Sequence, residues 1–164
     1  MRKLLDEIKS GQHFEELVSA YFKFIKEANT NNIIDISVVR SGKGSDGGID
    51  ILLTFELNDG IRKFQRKWVV QCKFHERNVG KSLLSDVNIP TLIHEYGAVG
   101  YLLVVKTDVV NELQKSFENL NKSCKFGYRY EIWKGDEFTE KLMVTGAEKL
   151  QKQYFSEYLK TTIR

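Results

Sequence analysis

The run Tyr101-Leu102-Leu103-Val104-Val105-Lys106, YLLVVK, constrains the fold most. It is apolar without alternation, so it reads as a buried strand. Strands of that kind belong to sheets with helices on their faces. The rest of the chain supplies both. Residues 11–28 repeat Phe14, Leu17, Val18, Tyr21, Phe22 and Ile25 at helical spacing. The β-branched, alternating stretch 33–40 predicts a strand. Further strands are expected over 49–57 and 67–74, joined by the turn Asn58-Asp59-Gly60. Residues 80–96 suggest a helix that Pro90 disturbs. Thr107 or Asp108 can cap a helix reaching about Leu120, and 128–133 is a fifth strand. Two short helices follow Gly135 and Gly146. The order α-β-β-β-α-β-α-β-α predicts an α/β chain with a mixed central sheet of about five strands flanked by helices.

A chain of 164 residues makes one ordinary domain with a proper core. Its two cysteines, Cys72 and Cys124, are too few for a disulfide framework and form no close pair, so a reducing cytoplasm is expected and a zinc site is not. No apolar run approaches the ~20 residues of a membrane helix, and acids at Asp6 and Glu7 interrupt any secretion signal, so no membrane association is expected. The net charge of +3 is uninformative, but its distribution is not. Seven basic residues lie between Arg62 and Lys81, with Glu76 the one acid among them. Such a stripe is the footprint of a polyanion binder. A hairpin whose lysines protect a sheet edge gives the same pattern.

The chemistry concentrates in Ser45-Asp46-Gly47-Gly48-Ile49-Asp50 and in Val70-Gln71-Cys72-Lys73. Alternation places Gln71 and Lys73 on one face of their strand and Cys72 on the other. A turn near 59–63 brings Asp50 opposite Gln71 to Lys73. A carboxylate, an amide and an ammonium then meet at one end of an apolar hairpin, which is costly unless something pairs them. Mg²⁺ is a natural partner, because it takes few protein oxygens and keeps water and phosphate in its other positions. Asp50, the Gln71 amide oxygen and the Cys72 backbone carbonyl can supply ligands, and Lys73 can hold water or stabilise charge on phosphate. The plainer readings are a cross-strand Asp50–Lys73 ion pair and a simple glycine turn. Gly42-Lys43-Gly44-Ser45 is no phosphate loop, since it precedes a strand where such a loop must open a helix.

Together these features resemble the Mrr-like branch of the PD-(D/E)xK nuclease superfamily. The resemblance rests on the DGGID turn (46–50), on the VQCK strand end with Gln before x-Lys, and on Phe14-Glu15 in the first helix. Weaker likenesses lie in Asn78 to Lys81 and in EIWKGDEF, Glu131 to Phe138. It implies a restriction-endonuclease-like core and metal-dependent hydrolysis of DNA phosphodiesters. Asp50 would be the main metal ligand, Gln71 a second ligand or water-positioning group, and Lys73 the catalytic lysine. Glu15, chosen over Glu16 because it follows the Phe, would help hold metal or water. Mg²⁺, with Mn²⁺ as substitute, is the implied cofactor. Lys43, Ser45, Arg66, His75, Arg77 and Lys81 are the candidate DNA contacts.

A domain this small implies further parts. The expected division is a nuclease domain over 1–148 and a helix or junction over 149–164, whose stripe Tyr154, Phe155 and Tyr158 would pack on something outside the chain. The expected partners are double-stranded DNA, a second copy in a homodimer or higher homo-oligomer, and a fused or associated regulatory ATPase or recognition module. The expected role is restriction or antiviral defence. A junction-cutting nuclease and a non-catalytic DNA-binding or assembly module are the competing functions.

Overall fold

The structure is a computed structural model and describes residues 3–28, 32–41 and 47–162. Its centre is one sheet of five strands in the order β1 (Ile33–Arg40), β2 (Ile51–Asn58), β3 (Lys63–Lys73), β4 (Gly100–Val105) and β5 (Arg129–Trp133). The first three run antiparallel, and β3, β4 and β5 run parallel. The sheet is therefore mixed, as the strand order implies. Helix α1 (Gly11–Ala28) covers one face with α4 (Gly135–Leu142) and α5 (Glu148–Tyr154). Helices α2 (Ile89–Glu95) and α3 (Asn111–Ser123) cover the other. All six residues of β4 are buried, which is why its sequence shows no alternation. Among the described residues no helix is long and apolar enough to cross a membrane.

The β2–β3 turn sets the register. Asp59 Oδ1 accepts the N–H groups of Ile61 and Arg62, and Gly60 sits at φ 89°. Pairing then runs from Asn58 opposite Lys63 to Ile51 opposite Val70. One residue further, the Asp50 N–H still donates to the Val70 carbonyl at 2.9 Å.

Several elements differ from expectation. Strand β3 starts at Lys63, because the tight turn lets pairing begin at once. The helix expected over 80–96 is a single 3₁₀ turn, Lys81–Leu84, followed by α2. Pro90 starts that second helix, standing in its first turn where its missing N–H costs nothing. Neither Thr107 nor Asp108 caps α3, whose N-cap is Val110. Asp108 instead accepts the Val109 N–H at 2.7 Å and pairs with Lys134 at 3.0 Å. The C-terminal stretch continues as α6 (Ser156–Thr162), and its aromatic stripe is covered by this chain itself. Phe155 is fully buried, Tyr154 stacks on His13 at 5.5 Å, and Glu7 accepts the N–H of Glu157 at 3.2 Å.

Gly48 fixes the approach to β2. It sits at φ 93°, and a Cβ there would come 2.4 Å from Val87 Cγ2. Gly47, at φ 61°, would meet nothing within 4 Å. Gly48→Ala should therefore lower unfolding free energy by about 2–4 kcal/mol, from strain and clash together, and Gly47→Ala by only about 1 kcal/mol, from strain alone. Denaturant melts of the two variants check this ordering.

Candidate active site

The site forms where β2 parts from β3. Beyond Ile51 the strands no longer pair residue to residue, and the Asp50 side chain takes over: its Oδ2 accepts the Cys72 N–H at 2.6 Å. The carboxylate is thus held by the backbone of the very strand that carries Gln71 and Lys73. Ser41 closes the same end, donating its N–H to the Asp50 carbonyl at 2.9 Å and its hydroxyl to the Ile49 carbonyl at 2.5 Å.

Helix α1 brings a second carboxylate to this point. Burial raises the Glu15 carboxyl above its ordinary value, the charge of Asp50 raises it further, and Arg40 opposes both. The Glu15 and Asp50 carboxylates are thus near enough for their charges to interact. Burial likewise raises Asp50, against the Cys72 N–H, Lys73 and Arg40. Two partly desolvated carboxylates whose charges oppose each other call for a cation. Among the described residues no three His, Cys, Asp or Glu side chains cluster as a metal cage. Two carboxylates, an amide and a backbone carbonyl would make an all-oxygen donor set, of the kind that suits Mg²⁺ or Mn²⁺ and not zinc. The residues fit such an ion.

Gln71 is the best-buried polar member, at 6% exposure. Its Oε1 accepts the hydroxyl of Tyr101 from β4. Lys73 ends β3, and its charge acts on Asp50. The half-buried Cys72 lies on the α1 face of the sheet, where burial and the two carboxylates push its thiol far up and leave it unreactive.

Other predicted residues lie apart from the carboxylates. Strand β3 ends at Lys73, so alternation no longer carries His75 onto the Lys73 face, and His75 is exposed beyond the strand. Arg66 stands seven residues earlier on the same strand, ~23 Å away by strand rise, and lies over the Phe64 ring. Arg77 is exposed, and Lys81 pairs with Glu112 at 3.2 Å. Lys43 and Ser45 lie outside the described residues.

Two residues bonded to the candidate side chains escaped sequence reasoning. Arg40 ends β1 opposite Ile51, beside Asp50, and its guanidinium reaches Glu15 at 3.4 Å and Glu16 at 3.5 Å. The hairpin register and the position of Arg40 at a strand end contained that signal. Tyr101 is the other, hidden in an apolar run where a tyrosine reads as core.

A family model described as a restriction endonuclease matches residues 6–142. The chain belongs to this restriction endonuclease family. Its fold is that of MspJI restriction endonuclease, solved in complex with a 27-mer oligonucleotide, with a TM-score of 0.60 at 12% identity over 95% of this chain and 38% of that one. The DNA modification-dependent restriction endonuclease AspBHI superposes with a TM-score of 0.50 at 11% identity, over 98% of this chain and 43% of that one. The chain thus spans about two fifths of each of these solved chains. No curated protein sequence matches it.

The raised carboxyls have a thermodynamic consequence. A folded-state pKa above the unfolded one, 3.8 for Asp50, favours the protonated group. The stability it contributes is present below that unfolded value and lost as pH rises through the folded one. Asp50→Asn keeps an oxygen for the Cys72 N–H and removes the buried charge. It should raise the melting temperature by several degrees in chelator near neutral pH, with the gain shrinking towards about pH 4. Thermal melts at the two pH values test this.

Proposed function

We propose that this chain is the catalytic part of a metal-dependent endodeoxyribonuclease that hydrolyses phosphodiester bonds of double-stranded DNA. The observation that carries the reading is the Asp50 carboxylate held by the Cys72 N–H on the strand that carries Gln71 and Lys73, at the parting of β2 and β3. Membership of the restriction endonuclease family and the oligonucleotide complex of MspJI support it.

Asp50, Glu15, Gln71 and the Cys72 carbonyl would hold Mg²⁺, with Mn²⁺ as a substitute. The ion, when bound, polarises the scissile phosphate and acidifies attacking water. The chain's own residues do the rest. The Cys72 N–H keeps one Asp50 oxygen fixed and leaves the other free to ligate. Lys73 carries the positive charge that orients water and stabilises negative charge building on the phosphate. Arg40 neutralises the carboxylates before a cation arrives, and its loose pairing leaves it free to move to a DNA phosphate. Arg77, His75 and Lys81 lie on the segment leaving the site and contribute contacts to the DNA backbone.

One such site cuts one strand, so double-strand cleavage needs a homodimer or higher oligomer. The shares of the MspJI and AspBHI chains matched fit a nuclease domain that works with a recognition or regulatory module. The biological role we assign is restriction or antiviral defence.

Plasmid cleavage with and without Mg²⁺, at low salt where phosphate-driven binding is strong, tests the reading. The unsubstituted chain should nick or linearise DNA only with the ion. Lys73→Ala should stay folded and lose about 10²–10³-fold in rate. Cleavage that persists in chelator, or equal rates for both proteins, contradicts it.

A further inference from the structure

Three polar side chains are buried among the described residues, Ser19, Gln71 and Lys106. Lys106 is held by Glu76 and by the Phe74 ring at 4.6 Å. Gln71 is held by Tyr101. On neighbouring parallel strands Tyr101 pairs with Val69, and Gln71 pairs with Leu103. The two side chains share a sheet face and sit diagonally, two residues apart, a span that a phenol crosses. The Tyr101 ring is fully buried and meets Phe117 edge-on at 6.2 Å.

The hydroxyl is not explained by packing. The other residues of β4 are Gly100, Leu102, Leu103, Val104 and Val105. A phenylalanine would fill the same space without bringing in a group that must find a partner. An aliphatic residue in place of Gln71 would likewise be cheaper to bury. The fold instead keeps both polar groups and joins them beside Asp50 and Lys73. Gln71 is otherwise free to turn, since its Nε2 has no hydrogen-bond partner among the described residues. With Oε1 taken on the buried side, the amide has one orientation. That oxygen retains a second lone pair, and Nε2 retains its donors, for whatever enters the site.

We propose that Tyr101 is a positioning residue of this nuclease: its hydroxyl locks the Gln71 carboxamide before metal or DNA arrives. The inference rests on the nuclease reading. Its chemistry is that of the outer partners that orient metal ligands, whose loss commonly costs 10–100-fold in metal affinity or activity.

The test is Tyr101→Phe in the full chain, which keeps the ring and the core. Mn²⁺ affinity is measured by calorimetry for the unsubstituted chain, Tyr101→Phe, Gln71→Ala and the double variant. Plasmid nicking is measured for the first two. The expected result is a folded Tyr101→Phe protein with Mn²⁺ affinity and kcat each roughly 10-fold lower and KM for DNA unchanged. In the Gln71→Ala background the same substitution should change Mn²⁺ affinity by nothing measurable. Equal affinity and kcat in Tyr101→Phe and the unsubstituted chain overturn the proposal. So does an equal loss with and without Gln71, because the hydroxyl then acts on the core at large. If the unsubstituted chain neither binds Mn²⁺ nor nicks DNA, the nuclease reading itself fails and takes the proposal with it.

Discussion

The contact on which the site depends is the hydrogen bond from the Cys72 N–H to the Asp50 carboxylate. Strand β3 is the pivot of the sheet, antiparallel to β2 on one side and parallel to β4 on the other. A strand end buried in this way cannot leave an amide unsatisfied. Where β2 turns aside, a side chain must replace the missing carbonyl, and Asp50 does so. One interaction thus ends the ladder, orients a carboxylate and fastens it to the strand bearing Gln71 and Lys73. Each desolvated charge at that point costs stability, and the fold tolerates the cost where chemistry requires it.

The two halves of the sheet have different tasks. The antiparallel half, with its tight Asp59-Gly60 turn, sets the register that places Asp50. In the parallel half, β4 is buried along its whole length and lies next to β3. From that neighbour Tyr101 reaches the site, and the Lys106 N–H donates to the Lys73 carbonyl at 3.1 Å. Helix α1 then needs only to lie across the sheet to deliver Glu15.

Much of this was legible in the sequence because it depends on short-range rules. The turn residues fix the hairpin, the hairpin fixes the register, and the register puts Asp50 opposite Gln71. Buried β4 and amphipathic α1 show their environments in their composition. Other features depend on contacts that no local pattern encodes. Asp108 resembles a helix cap but serves Val109 and Lys134, because tertiary pairing outweighs propensity. The aromatic stripe near the C-terminus looks unpartnered until α1 and the first turn of the chain fold under it. Glu15 and Glu16 are adjacent and chemically alike, and only the lie of α1 sets how each stands to Asp50, whose charge raises the Glu15 carboxyl. The Tyr101 hydroxyl is one atom in an apolar run, and its meaning appears only when the strand beside it is known to be β3.

The central claim is that Asp50 anchors a divalent cation beside Lys73. Calorimetric titration with Mg²⁺ and Mn²⁺ of the unsubstituted chain and Asp50→Ala tests it most directly. The account predicts one saturable site per chain that Asp50→Ala abolishes while the protein stays folded. Identical binding by both proteins, or binding by neither, would contradict it.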